Sequence, residues 1–202
     1  MRIGIIGGTF DPIHIGHLII AQNAVTQYHL DQILFIPTGH SPHKDDKEIE
    51  QSAHRLEMIR LSIKNNPDFY FSAMEINAAR TSYTYLTLQE LHRTYPDWEL
   101  YFIMGADSLY QIETWKDPDQ IFHMANILVA TRNDSRSALD AQIDYLEEKY
   151  SGKIYHLSSP SIEISSNDIR KRCKNGSSIH FFLPEDVIDY IERNDLYGIT
   201  AD

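Results

Sequence analysis

Cysteine is scarce and long apolar runs are missing from this sequence of 202 residues. The single cysteine, Cys173, excludes an internal disulfide bond and a zinc cluster built on cysteines, and it is typical of a chain kept in the reducing cytoplasm. No stretch approaches the ~20 apolar residues of a membrane-spanning helix, and the first apolar run is shorter than that of a signal peptide. We therefore expect a soluble, cytoplasmic protein with no membrane partner.

Basic residues are scarce as well. The chain has 18 lysines and arginines against 29 aspartates and glutamates, which gives a net charge of −11 with neutral histidines. A protein that binds DNA or RNA through the phosphate backbone needs a surplus of basic side chains, usually arranged as a stripe. The charge balance therefore argues against a nucleic acid as partner.

Short apolar runs alternate with amphipathic segments along the chain. Strands are expected at 2–6, 33–36, 69–76, 100–104, 127–130 and 153–157, and helices after the first turn, at 52–65, 83–95 and 137–150, and twice more at the end of the chain. This alternation is the pattern of a parallel sheet. It predicts an α/β fold, a doubly wound, Rossmann-like parallel sheet with helices on both faces, in one domain spanning 1–202 whose residues from about 165 form a short carboxyl-terminal helical subregion.

The turn after the first strand carries the most unusual residues. Gly7 and Gly8 allow backbone N–H groups to approach a ligand closely, and His14 and His17 stand at the start of the following helix, where the helix dipole favours an anion. Two imidazoles three residues apart can both donate hydrogen bonds to one phosphate. A metal site is the weaker interpretation, because a pair of histidines lacks a third ligand nearby.

Polar loops follow two further strands. The loop at 37–44 contains two histidines and Lys44, a mobile point charge that suits a phosphate, although a solvated loop explains the same composition equally well. Asp107 follows the fourth strand and suits a ribose hydroxyl, a hydrated Mg²⁺ or a helix cap. Trp115 lies in a polar, turn-rich stretch, where it either stacks on a flat ring or packs at the domain edge.

A second helix start lies near the carboxyl terminus. Ser165 and Asp168 have the spacing of a helix cap, which predicts that a helix begins there. Capping does not explain the four basic residues that follow between Arg170 and Lys174. A helix start with two hydroxyls and an arginine one turn along suits the terminal phosphates of a nucleoside triphosphate.

Together these motifs resemble those of the nucleotidyltransferase superfamily. Gly7-Gly8-Thr9-Phe10-Asp11-Pro12 with His14-Ile15-Gly16-His17 resembles its first signature, and Ile164-Ser165-Ser166-x-x-Ile169-Arg170 resembles its second. The order of the intervening segments is similar to that of bacterial nicotinate-nucleotide adenylyltransferases, and the resemblance covers essentially the whole chain. These segments are Pro42-His43-Lys44, Ser82-Tyr83-Thr84, Gly105-Ala106-Asp107-Ser108 and the stretch around Trp115.

The resemblance implies transfer of AMP from ATP to nicotinate mononucleotide, with Mg²⁺ as cofactor, held mainly by the ATP phosphates and by no dedicated protein ligands. The residues that it implies as catalytic are His14, His17, Lys44 and Arg170. Those that it implies for ATP are Gly7, Gly8, Thr9, Phe10, Gly105, Asp107, Arg132, Ser165 and Ser166, and those for nicotinate mononucleotide are Thr9, Phe10, Lys44, Tyr83, Thr84 and Trp115. ATP and the mononucleotide are thus the expected partners, and a homo-oligomer is allowed.

Three other interpretations stay open. A related adenylyltransferase or cytidylyltransferase would use the same signatures with another acceptor, such as nicotinamide mononucleotide or phosphopantetheine. A non-catalytic nucleotide-binding module would need neither the paired histidines nor the basic cluster near Ser165. A histidine-dependent metal hydrolase would hold a transition metal.

Overall fold

The computed structural model describes residues 1–40, 50–78, 80–131, 136–160 and 162–198, except for the side chain of Arg136. Among these residues are six strands and eight helices. The strands are β1 (Arg2–Gly8), β2 (Gln32–Pro37), β3 (Phe69–Phe71), β4 (Glu99–Gly105), β5 (Asn126–Thr131) and β6 (Ile154–Ser158). The helices are α1 (Ile15–Tyr28), α2 (Ser52–Ile63), α3 (Thr84–Thr94), α4 (Ala106–Gln111), α5 (Pro118–Met124), α6 (Arg136–Tyr150), α7 (Ser166–Lys174) and α8 (Glu185–Arg193).

The six strands form one parallel sheet in the order β3-β2-β1-β4-β5-β6. Strand β1 lies in the middle, with Ile5 paired to Leu34 of β2 and to Phe102 of β4. The order in which strands are added reverses after β1, because β2 and β3 lie on one side of it while β4, β5 and β6 lie on the other. Ligands bind at such a switch point in open α/β sheets. The predicted Rossmann-like fold class is confirmed.

Two apolar cores cover the two faces of the sheet. In β4, Ile103 faces the first core, which is formed with α1, α2, α7 and α8. Phe102 and Met104 face the second core, which is formed with α3, α4, α5 and α6. Because successive side chains of a strand point to opposite faces, a strand covered on both sides is apolar throughout. This is why the runs at 100–104 and 127–130 were readable as central strands.

Two local expectations were wrong. Strand β3 ends at Phe71 and does not continue to residue 76, because the side-chain oxygen of Ser72 accepts the backbone N–H of Met74 and the chain turns. The short helices α4 and α5 between β4 and β5 were not predicted, because each is under two turns long. The only helix signal in the sequence of α5 is Pro118 at its first position.

Helix α2 packs one side against the core that it forms with α1, α7 and α8, and Leu61 is partly buried against this core. The buried residues of this helix are Arg55, Met58, Ile59 and Ile63. No helix in the described part of the chain is long and apolar enough to cross a membrane.

Candidate active site

Two cavities open beside the carboxyl ends of β1 and β4. The larger has a volume of about 650 Å³ and the smaller about 330 Å³. They share Gly7, Phe102, Ser108 and Trp115 as common wall. Two ligands bound in these cavities would therefore meet at the first-strand turn.

The two histidines of the first motif are held together at the start of α1. His14 precedes the helix and is 4% exposed, and its backbone N–H donates to Nδ1 of His17 at 3.2 Å. The two imidazole rings stack with 3.7 Å between their centroids. Because Nδ1 of His17 accepts this hydrogen bond, the hydrogen of its neutral ring lies on Nε2, which makes Nε2 a donor. His17 borders the smaller cavity, where such a donor can meet an anion.

Gly16 is needed between the two histidines because the ring of His14 lies against it. A Cβ atom at this position would lie 3.0 Å from Nδ1 of His14. That separation is shorter than ordinary van der Waals contact, so a larger residue would displace the ring. The glycine of the His-x-x-His motif thus serves the packing of the pair.

The turn before the histidines is bound by residues from the carboxyl-terminal region. A cis peptide bond joins Asp11 to Pro12. Arg170 donates from Nη1 to the carbonyl oxygen of Asp11 at 2.6 Å, and the hydroxyl of Ser166 donates to that of Pro12 at 2.9 Å. The two signatures of the sequence, more than 150 residues apart, are thus in direct contact.

Helix α7 begins as its sequence predicts. Ser165 accepts the backbone N–H of Asp168 at 3.1 Å, which confirms the expected cap. Ser165, Ser166 and Arg170 are not among the residues that line the two cavities. Ser166 and Arg170 contact the first-motif turn, with the side chain of Arg170 still 29% exposed.

The larger cavity contains the residues expected to hold the pyridine nucleotide. Thr9, Tyr83, Thr84 and Trp115 line it. Thr84 is the first residue of α3, and the first N–H groups of a helix lack partners within the helix, so they suit a carboxylate. Phe10 differs from this group because its side chain is 2% exposed and packs in the core, which leaves only its backbone for a ligand.

Trp115 packs at the edge of a core and also borders the cavities. Its indole packs edge-on against Phe102 with 6.2 Å between ring centroids, and it is half-buried against the second core. It also lines both cavities. The preceding turn is tied to α6, because Glu113 accepts hydrogen bonds from Lys149, from Tyr145 at 3.3 Å and from Tyr150 at 3.1 Å.

The smaller cavity contains the residues expected near the adenosine. Gly7, His17, Gly105 and Asp107 line it, and Asp107 is exposed in the first turn of α4. A Cβ atom at Gly105 would have no neighbour within 4 Å, so this position faces open space. Two further expected residues, Lys44 and Arg132, lie outside the described residues.

Two polar residues that the sequence did not reveal stand at the wall of the larger cavity. Thr87 donates its hydroxyl to Oε1 of Glu75 at 2.6 Å, and both residues line the cavity. Burial raises the pKa of Glu75 above its ordinary value, although hydrogen bonds from Thr87 and Ser82 oppose the shift. Thr87 lies one helical turn after Tyr83, so the two residues lie on the same side of α3. This spacing was the signal in the sequence that Thr87 lies near the expected site.

Arg55 is the other missed residue. It is 2% exposed and donates to three backbone carbonyls, those of Glu50 at 3.1 Å, Thr9 at 2.7 Å and Thr38 at 2.9 Å. These bonds join the turn after β1 to the end of β2. An arginine at three- and four-residue spacing from Met58 and Ile59, on the buried face of α2, was the signal in the sequence.

The described residues include no group of three or more histidine, cysteine, aspartate or glutamate side chains that could hold a metal ion. Imidazole and guanidinium groups suit phosphate oxygens directly.

Comparison with known proteins shows the family of the chain. Residues 5–172 match the family model described as cytidylyltransferase-like. A Clostridium botulinum protein named as a nicotinate-nucleotide adenylyltransferase is 47% identical, covering 97% of this chain and 98% of its own. A Thermoanaerobacter protein of the same name is 40% identical over 98% and 94%.

Among solved structures, the fold is similar to that of a Plasmodium falciparum nicotinic acid mononucleotide adenylyltransferase complexed with APC. The TM-score is 0.80 at 20% identity, with 100% of this chain and 99% of that one covered. The structure with NaAD gives a TM-score of 0.81. The chain therefore belongs to the nicotinate-nucleotide adenylyltransferases, within the cytidylyltransferase-like family of nucleotidyltransferases.

Proposed function

We propose that the chain transfers AMP from ATP to the 5′-phosphate of nicotinate mononucleotide, giving deamido-NAD⁺ and pyrophosphate. The observation that carries the proposal is the pair of cavities that share Gly7 and Trp115, because the reaction needs two nucleotides side by side. The larger, at about 650 Å³, has the size of an ordinary small-molecule site.

Nicotinate mononucleotide fits the larger cavity. Its carboxylate would accept hydrogen bonds from the backbone N–H groups at Thr84, at the positive end of α3. Its pyridine ring would stack on Trp115, which presents an indole to this cavity. Thr9, from the turn after β1, would lie near the mononucleotide phosphate.

ATP fits the smaller cavity. Asp107 would accept a hydrogen bond from the adenosine ribose, and Nε2 of His17 would donate to the α-phosphate. An oxygen of the mononucleotide phosphate attacks the α-phosphorus, a new P–O bond forms, and the bond to the β-phosphate oxygen breaks with its electron pair leaving on pyrophosphate. The attacking oxygen is already anionic, so the protein's contribution is alignment and neutralisation of charge.

The departing pyrophosphate would meet residues of the second signature. Arg170 is partly exposed beside the first-motif turn, and Ser165 and Ser166 begin α7. Lys44 and Arg132 would add further positive charge. Mg²⁺ bound to the ATP phosphates would neutralise part of their negative charge. This would weaken the repulsion between the phosphates and the acidic chain. We place the reaction in the cytoplasm, as the single cysteine suggests.

The test is pyrophosphate release from purified protein with ATP and Mg²⁺, with nicotinate mononucleotide and nicotinamide mononucleotide offered in parallel. We expect release with the nicotinate form, accompanied by one deamido-NAD⁺ for each pyrophosphate. A reaction without an acceptor controls for ATP hydrolysis. No acceptor-dependent release with nicotinate mononucleotide would refute the substrate assignment, and release only with the nicotinamide form would reassign it.

A further inference from the structure

Residues from the carboxyl-terminal region converge on two residues of the first motif. Besides the bonds from Arg170 and Ser166 to the backbone of Asp11 and Pro12, the hydroxyl of Tyr197 donates to Oδ1 of Asp11 at 2.7 Å. The carboxyl group of Asp11 is almost fully buried, with its residue 3% exposed. A buried carboxylate requires hydrogen-bond donors, and Tyr197 supplies one from the far end of the chain.

Tyr197 is itself firmly held. It lies in the 3₁₀ turn Leu196–Gly198, which packs against α7 and α8, and Leu196 beside it is 5% exposed in the first core. Burial, followed by the nearby charge of Asp11, raises the pKa of the Tyr197 hydroxyl well above its ordinary value. The hydroxyl therefore remains a donor at any physiological pH.

The two oxygens of Asp11 have different neighbours. Oδ1 is occupied by Tyr197, while Oδ2 lies 3.7 Å from Nη1 of Arg170, which donates instead to the Asp11 carbonyl. A bidentate pair is the geometry that a carboxylate and an arginine favour, and the Asp11 carboxylate does not form one with Arg170. Because Oδ1 accepts the hydroxyl of Tyr197, this oxygen is already engaged beside the guanidinium.

We propose that Tyr197 is a positioning residue, which holds the Asp11 carboxylate so that Arg170 keeps donors available for the phosphates of the leaving group. This inference rests on the proposed function, because it assumes that Arg170 meets pyrophosphate. Tyr197 touches no substrate in this scheme. It acts through Asp11 on the orientation of Arg170.

The first test compares Tyr197→Phe with Tyr190→Phe in the full chain. Both changes remove one hydroxyl from the carboxyl-terminal region, but Tyr190 is bonded to His54 at 2.9 Å and not to the first-motif turn. We expect Tyr197→Phe to lower kcat about tenfold and to raise the KM for pyrophosphate in the reverse reaction about tenfold, the effect of weakening one charge-assisted hydrogen bond. The KM for nicotinate mononucleotide should stay within about twofold of the wild type.

Tyr190→Phe should leave all of these constants near wild type. Circular dichroism melting of each variant sets an assay temperature at which both are folded. Wild-type kinetics for Tyr197→Phe, or equal changes in all KM values, would overturn the inference. If the wild-type chain makes no deamido-NAD⁺, the proposed function fails first, and the two failures are thereby distinguished.

A double-mutant cycle with Asp11→Asn supplies a readout that a purely structural role would not give. Asparagine keeps an oxygen for Tyr197 but loses the charge that competes for Arg170. We expect the double variant to be no slower than Asp11→Asn alone, because both changes act through one interaction. Fully additive losses in kcat would contradict this coupling.

Discussion

Replacing Arg55 with lysine keeps the charge but removes the planar group that donates to three carbonyls. Nη1 and Nη2 reach the carbonyl oxygens of Thr9 and Thr38 at 2.7 and 2.9 Å, and one ammonium cannot reproduce both contacts. Losing one bond from a charged donor, with a carbonyl left unsatisfied, lowers the free energy of unfolding by about 2–4 kcal/mol. For a chain of this length, we expect Tm to fall by about 4–16 °C.

Unfolding in guanidinium chloride, followed by circular dichroism, measures this loss of stability. Arg60→Lys is the matched control, because Arg60 lies on the same helix, its side chain is 50% exposed, and its partner Glu57 is partly exposed. The control should change the free energy of unfolding by less than about 0.5 kcal/mol. If the two variants lose the same stability, the three carbonyl bonds do not stabilise the turn after β1 as we argue.

The remaining predictions concern the site residues. His17→Ala should lower kcat by about 10²-fold in a variant that stays folded, as loss of a transition-state donor does, and a folded variant with wild-type turnover would show that the role is wrong. Trp115→Ala should raise the KM for nicotinate mononucleotide far more than that for ATP, and steady-state kinetics showing equal effects would count against stacking on the pyridine ring. Burial raises the pKa of Glu75 above 4.5, so its ionisation destabilises the folded chain as the pH rises past that value. Glu75→Gln keeps an oxygen for Thr87, and its free energy of unfolding relative to wild type should therefore increase from pH 4 to pH 7.5; the same difference at both pH values would contradict the shift.

Much of the fold was readable because its central strands are covered on both faces. The apolar runs ending at Gly7, Gly105 and Thr131 had no polar alternation to confuse their assignment, and each is a strand of the parallel sheet. Strand β3 was predicted too long because its end depends on one hydrogen bond, which the backbone N–H of Met74 donates to the side-chain oxygen of Ser72. A serine within a run of residues that favour strands does not by itself predict a hydrogen bond between its side chain and the backbone.

The site was readable where chemistry and chain position coincide. The paired histidines and the cap at Ser165 follow from spacing alone, because helix periodicity fixes which residues are neighbours. The spacing of Arg55 indicates only that it lies on the buried face of α2, and it does not reveal the carbonyl partners, which come from the turns after β1 and β2. The hydrogen position on His17 likewise depends on a contact that appears only once the turn is folded.

The wall shared by the two cavities has a consequence for product release. Deamido-NAD⁺ would span both cavities, and its two halves would contact opposite sides of Trp115 and Gly7 at once. Joining two ligands makes the second contact intramolecular, so the dinucleotide should bind more tightly than either substrate. We therefore expect the product to inhibit the forward reaction and its departure to limit turnover.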